Sequence, residues 1–246
     1  MKGIILAAGQ GTRLRPLTDD RPKCMVEVDG RSIIERQLEV MRACGIEDIV
    51  VVAGYLEQKI HFDGVTKVIN PKFENTNMVA TLMYAKKYFD DDIIVSYGDI
   101  VYSENVLKKL MRAKGDEIYV VVDRAWRAYW EARMENPLDD AETLKLDSDG
   151  YITELGKVPA SYEEIEGQYI GLMKFSKTVI RQIAETYNEL PSNGDYDGKD
   201  RDNMYMTSFL QILSKNVAPL KAVFIENGWM EVDTPSDLEY HSFLKK

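Results

Sequence analysis

Five apolar runs punctuate the first 123 residues: GIILAA at 3–8, DIVVVAG at 48–54, VTKVIN at 65–70, DIIVSYGD at 92–99 and EIYVVVD at 117–123. Most are too continuously apolar for a strand with one wet face, so they read as strands covered on both sides. Amphipathic stretches separate them. SIIERQLEVMRACG opens with Ser32 and Glu35 in capping-box spacing, puts Ile34, Leu38 and Met41 on one face, and stops at Gly45. NMVATLMYAKKYF at 77–89 carries Met78, Leu82, Ala85 and Phe89 on one stripe, and ENVLKKLMRAKG reads as a third helix. Alternation of this kind restricts the chain to a doubly wound, mostly parallel sheet.

The second half has another texture. TLKLDSDGYITEL holds two short alternating runs around Asp-Ser-Asp-Gly and predicts a hairpin. A strand at 167–176, a helix from Lys177, a helix near 204–215, a strand at 220–225 and a terminal helix from Ser236 follow. Residues 188–203 are polar and rich in Gly and Pro, a loop with the composition of a lid. No internal repeat or flexible linker divides the chain. The expected fold is therefore a Rossmann-like α/β domain over residues 1–246, with a mixed, mostly parallel sheet and a smaller C-terminal β-hairpin and helix elaboration.

A net charge of -10 argues against a nucleic-acid or anionic-membrane surface and makes local cationic clusters informative. Cys24 and Cys44 have no metal-ligand spacing, and His61 and His241 are too few for a histidine zinc site or a Ser-His triad. No segment approaches the roughly 20 apolar residues of a membrane span. The apolar N-terminus is too short for a signal peptide, so the expected compartment is the cytosol.

The most unusual stretch is the exit of the first strand, GIILAAGQGTRLRPLTDDRPK at 3–23. In a parallel sheet, ligands sit at the carboxyl ends of strands. Glycine permits close backbone approach, and successive amides donate to phosphate oxygens. A dinucleotide fingerprint is disfavoured: Leu14 stands where a third glycine is needed, Pro16 delays any helix, and Asp29 lies in a turn. A Walker loop is excluded, because no Gly-Lys-Ser/Thr is present.

The longer pattern LAAGxGTRLxPLTxxxPK, occupied by Leu6 through Lys23, resembles the signature of nucleotidyltransferases that make nucleoside-diphosphate sugars and related activated alcohols. The resemblance implies that Leu6, Ala7, Ala8 and Gly9 line base and ribose. It implies that Gly11, Thr12 and Arg13 hold the triphosphate and that Lys23 reaches the α-phosphate, Arg13 and Lys23 being the catalytic cations. Attack on a phosphate by an anionic acceptor needs fixed positive charge, which a guanidinium fork and an ammonium supply. Arg15 and Arg21 read as surface residues.

Asp99, after Gly98 at the end of a buried strand, and Asp233 in GWMEVDTPSDL resemble the metal aspartates of that family. Taken alone, Asp99 is equally a turn residue and Asp233 a helix cap. The implied cofactor is Mg²⁺, which takes one or two carboxylates with phosphate oxygens and water. Glu231 is a weaker third candidate, and Asp237 belongs to the following helical turn.

FENTNMVATLMYA at 73–85 resembles the branch that transfers CMP to phosphocholine, 2-aminoethylphosphonate or phosphoglutamine, the last for capsule decoration. The resemblance places Asn77 and Thr81 near base or ribose and Tyr55 and Gln58 at the base rim; Asn77 also reads as a plain helix cap. Residues 1–123 would bind the nucleotide and 124–246 the acceptor. In the second half, Trp130 and Arg133, Asp140 and Glu142, and Lys157 match the family's pattern and would surround the acceptor, with Tyr169, Gly171 and Tyr205 as further wall. Packing of Trp126, Tyr129 and Trp130 and a solvated acidic run are the plainer alternatives. The implied partners are CTP and a small phosphorylated acceptor, and the superfamily's frequent assemblies leave room for a homo-oligomer. A sugar-1-phosphate uridylyl- or thymidylyltransferase and a non-catalytic nucleotide sensor are the rival readings.

Overall fold

The computed structural model describes residues 1–245. Strand β1 (Lys2–Ala7) runs into two single 3-10 turns, Thr12–Leu14 and Lys23–Met25. A small hairpin follows, β2 (Glu27–Val28) and β3 (Arg31–Ser32), turned by Asp29 and Gly30, both with positive φ as an Asp-Gly hairpin turn requires. Helix α1 (Ile33–Ala43) starts on the expected capping box, where Ser32 N–H donates to Glu35 Oε2 at 2.8 Å and Glu35 N–H to Ser32 Oγ at 3.3 Å. Such a cap is worth about 0.5–2 kcal/mol.

Then come β4 (Ile49–Ala53), β5 (Val65–Ile69), α2 (Met78–Tyr84), β6 (Ile93–Tyr97), β7 (Ile100–Tyr102), α3 (Glu104–Met111) and β8 (Ile118–Asp123). The helix expected over 77–89 is shorter: after Tyr84 the chain tightens into a 3-10 turn at Lys86–Tyr88. The second half supplies α4 (Trp126–Arg133), the hairpin β9 (Leu144–Leu146) and β10 (Ile152–Leu155), β11 (Gln168–Phe175), α5 (Lys177–Glu189), α6 (Met206–Asn216), β12 (Leu220–Ile225) and β13 (Trp229–Glu231). The stretch Pro235–Lys245 is 3-10 in character.

Seven strands form one sheet in the order β12-β8-β11-β6-β1-β4-β5. All neighbours are parallel except β11, which runs antiparallel to both β6 and β8. On one face Ile5, Val51 and Val121 pack with Ile34, Leu38 and Leu107 of α1 and α3. On the other, Ile4, Val50 and Val120 meet Val79, Ile180, Phe209 and Leu213 of α2, α5 and α6. Covering both faces is why the strands read as unbroken apolar runs.

The reversed strand matters for position. Because β11 is antiparallel, its first residues lie at the edge where β6 and β8 end. The register with β8 shifts between Tyr169 and Met173, at Gly171, whose φ is 80. A bulge at a strand end bends the chain and redirects side chains, here toward the carboxyl edge of the sheet.

Candidate active site

Two cavities open side by side along that edge. The first is lined by Leu6, Ala7, Ala8 and Gly9 from the exit of β1, Lys23 and Cys24, Phe73 and Thr76–Met78 with Thr81 around the start of α2, and Gly98 and Asp99 after β6. Gly98 must lack a side chain, since a Cβ there would lie 2.5 Å from the Leu6 carbonyl oxygen. The second, of about 310 Å³, is lined by Asn77, Met78, Tyr97, Trp130, Asp140, Glu142, Gln168–Gly171, Tyr205–Thr207, Glu231 and Asp233. That volume is at the low end of ligand-pocket sizes, roughly 300–1,000 Å³. Asn77 and Met78 belong to both walls.

Lys23, on the wall of the first cavity, links it to the second. Its Nζ donates to Asp99 Oδ2 at 2.7 Å and to Asp233 Oδ1. Burial opposes the charged ammonium, but the pull of Asp99 and Asp233 overrides it, so Lys23 is held protonated well above the ordinary lysine range. Gly11 is left-handed, with φ 67, and a Cβ on it would come within 2.9 Å of Lys23 Cβ, so the glycine turn is what lets the lysine stem lie against the loop. Gly11, Thr12 and Arg13 themselves do not line the first cavity; the Arg13 guanidinium reaches Asp233 Oδ1 at 3.1 Å from its exposed position. Among the described residues no group of three or more His, Cys, Asp or Glu could hold a metal ion. Asp99 and Asp233 form a pair that already meets on one cation, and such a donor set suits an ion whose remaining ligands are phosphate oxygens and water. Burial pushes the Cys24 thiol up to about 12, so it offers no nucleophile here.

The second cavity is acidic and aromatic, and among the described residues no Lys or Arg lines it. Trp130 Nε1 donates to Asp140 Oδ2 at 3.1 Å, and the rings of Tyr97 and Tyr169 meet edge to face at 5.8 Å. Burial, reinforced by Asp140, pushes the Glu142 carboxyl up to about 7. Gln168 holds the acidic loop by its backbone, accepting from Glu142 N–H at 3.1 Å and donating to Glu142 O at 2.6 Å.

Asn77 is a helix cap that also lines both cavities. Its Oδ1 accepts from Met78 N–H at 2.8 Å as a cap, while the residue also separates the cavities. Its N–H donates to Asp202 O at 2.9 Å, which fastens the end of the 188–203 loop to the start of α2. Thr81 lines the first cavity, with its hydroxyl donating to Asn77 O and accepting from Asn70 Nδ2 at 2.9 Å.

Besides Gly11, Thr12 and Arg13, four more expected residues line neither cavity. Arg133 does not face the acceptor cavity: its side chain is 1 % exposed, with Nε on Asp237 Oδ1 at 2.7 Å and its other arm on Glu231. The charge is spent inside the protein, where removing one partner of such a pair costs about 3–5 kcal/mol. Lys157 lies outside the cavity, paired on the surface with Glu154 at 2.6 Å. Tyr55 is turned against Phe73, ring centroids 6.2 Å apart, with its hydroxyl toward the carbonyls of Thr18 and Asp19. Gln58 is exposed on the 3-10 turn Glu57–Lys59 and lines neither cavity. Trp126 and Tyr129 are buried packing, and of the three aromatics on α4 only Trp130 reaches the cavity. Glu231 lines the second cavity with its carboxylate tied to Arg133, and Gln168, Tyr97 and Phe73 also line the cavities. Their signal is absent from local spacing, since each is brought in by strand pairing or by a distant loop.

A family model described as the MobA-like NTP transferase domain matches residues 3–189. The chain is 46% identical over 250 residues to a CTP:phosphoglutamine cytidylyltransferase of Campylobacter jejuni, covering 97% of this chain and 98% of that protein. It is 33% identical over 123 residues to a choline-phosphate cytidylyltransferase of Streptococcus pneumoniae, covering 48% of this chain and 54% of that one. The structure of the inositol-1-phosphate CTP transferase from T. maritima superposes with a TM-score of 0.77 at 18% identity, covering 100% of this chain and 95% of that chain, a likeness of fold.

Proposed function

The chain belongs to the MobA-like NTP transferase domain family, and from that premise we propose that it transfers CMP from CTP to a small phosphorylated acceptor, releasing pyrophosphate. The acceptor class is a phosphate or phosphonate that also carries a cationic nitrogen, as in phosphoglutamine, phosphocholine or 2-aminoethylphosphonate. The observation that carries this reading is the pairing of Lys23 with Asp99, both on the wall of the first cavity, and with Asp233, on the wall of the second, the first walled by Leu6–Gly9 and the second by carboxylates and aromatic rings.

In this reading CTP lies in the first cavity, base and ribose against Leu6–Gly9 and Gly98, with Gly11, Thr12 and Arg13 at the triphosphate. The acceptor occupies the second, its nitrogen cation facing Asp140 and Glu142 beside Trp130, Tyr169, Gly171 and Tyr205. Lys23 swings from its aspartates to the α-phosphate, and the charge developing there is stabilised in place. Asp99 and Asp233 would hold Mg²⁺, which when bound orients the α-phosphate and offsets its charge. The acceptor oxygen attacks the α-phosphorus, and the bond to the bridging oxygen of pyrophosphate breaks. A phosphate is already a nucleophile at neutral pH, so no general base is required. No helix among the described residues is long and apolar enough to cross a membrane, and the proposed setting is a cytoplasmic step toward surface polysaccharide.

Pyrophosphate release measured across CTP, UTP, dTTP and ATP against phosphoglutamine, phosphocholine, 2-aminoethylphosphonate and hexose 1-phosphates tests the reading. Turnover confined to CTP with a nitrogen-bearing acceptor is expected. Turnover with a hexose 1-phosphate and UTP or dTTP would replace it by sugar activation, and CTP binding with no turnover would mark a nucleotide sensor.

A further inference from the structure

Asp237 lines neither cavity and is 2 % exposed. One of its oxygens, Oδ2, accepts from Asp233 N–H at 2.8 Å, Thr234 N–H at 2.7 Å and the Thr234 hydroxyl at 3.0 Å. The other, Oδ1, accepts from Arg133 Nε at 2.7 Å. The second arm of Arg133 is tied to Glu231, and its guanidinium carbon lies 4.8 Å from the centre of the Tyr129 ring. Just ahead of Asp233, Val232 N–H donates to Asp99 O at 3.0 Å.

The chain at Asp233 has left β13 and has not entered the following 3-10 segment, so no ladder fixes its side chain. A carboxylate accepting three bonds from two consecutive residues supplies the missing constraint. An arginine behind it holds that carboxylate in place, and α4 together with the aromatic cluster holds the arginine. We propose that Asp237 and Arg133 are positioning residues: they set the backbone at Asp233 so that its carboxylate converges with Asp99 on one cation position. This rests on the reading above that the two aspartates hold the divalent ion. Partners behind metal ligands commonly matter 10–100-fold in metal affinity.

The test uses Asp237→Asn in the full chain. An amide presents one acceptor and one donor group, so it cannot serve the two backbone N–H groups and the Arg133 Nε together. The Mg²⁺ concentration giving half-maximal pyrophosphate release should rise about 10-fold, while the acceptor KM stays within about 2-fold. Mn²⁺ affinity of the complex with a non-hydrolysable CTP analogue, read by paramagnetic resonance, should fall by the same factor. Thr234→Val, which removes one of the three bonds to Asp237 Oδ2 together with the hydroxyl contact to Ser236 and leaves the ion pair, should move both readouts the same way by less. A folded Asp237→Asn with wild-type Mn²⁺ affinity would overturn the proposal, as would a loss of kcat at unchanged Mg²⁺ dependence. Should Asp237→Asn not fold, wild-type Mn²⁺ affinity in Thr234→Val overturns it instead. A wild-type protein that neither releases pyrophosphate nor binds Mn²⁺ would remove the cytidylyl-transfer premise, a result distinct from either.

Discussion

Lys23 Nζ lies 2.7 Å from Asp99 Oδ2 and donates to Asp233 as well, joining carboxylates 76 and 210 positions along the chain through one ammonium. The contact puts a cation where the proposed ion would sit.

Lys23→Ala should lower turnover by roughly 10²–10³, the scale for losing one preorganised donor to a developing oxyanion. The fall should appear in kcat more than in the acceptor KM. Wild-type turnover would show that Lys23 serves only to tie the two strand ends together.

Asp99→Asn should remove most activity, and the residual rate should no longer respond to added Mg²⁺ or to a chelator. In the proposed reading Asp99 and Asp233 act on one ion, so the Asp99→Asn/Asp233→Asn double variant should be scarcely slower than either single one. Independent, multiplying losses would separate their roles.

Glu142 is pushed up to about 7, first by burial and then by Asp140. Below that pH it is protonated and loses its attraction for a cationic nitrogen, so the acceptor KM should rise as pH falls from 8 to 6. The unfolded chain ionises near the ordinary value of 4.5. The native state therefore binds more protons between the two values, and stability is lost as pH rises through about 7. Glu142→Gln should abolish the KM limb and melt higher than wild type at pH 8. A KM that is flat with pH in the wild type would dismiss the cation subsite.

Gly171 has φ 80, and a Cβ would fall 2.4 Å from Tyr97 Cδ2. Gly171→Ala should cost at least the 1–2 kcal/mol of a left-handed non-glycine residue and displace a wall of the acceptor cavity. Calorimetry and a KM split should show a lowered Tm with acceptor KM raised more than CTP KM. An unchanged acceptor KM would place the bulge outside the acceptor site.

Much of the architecture was legible because its signals are local. Ser32 and Glu35 announce a helix start through a hydrogen-bond pattern spanning four residues, and Ile4–Ala7 announce a doubly covered strand through burial alone. The direction of β11 was not legible, because an apolar run is the same whichever way it is paired. The end of α2 was not legible either, since the apolar stripe continues through a 3-10 turn to the buried Phe89.

The site divides along the same line. Lys23, Asp99 and Asp233 are legible from the pattern around them, each following a recognisable strand or turn. Arg133 could not be placed that way: a cation on α4 reads identically whether it points to a ligand or is neutralised inside, and the outcome rests on Glu231 and Asp237, about a hundred positions away. By itself the sequence determined the strands, the helix starts and the glycine turn, since backbone preference and apolar period act over a few residues. Which charges face the cavities and which are consumed beneath them was decided by the folded chain, because Coulomb and hydrogen-bond energies depend on through-space distance and on solvent exclusion, and neither is encoded in spacing along the chain.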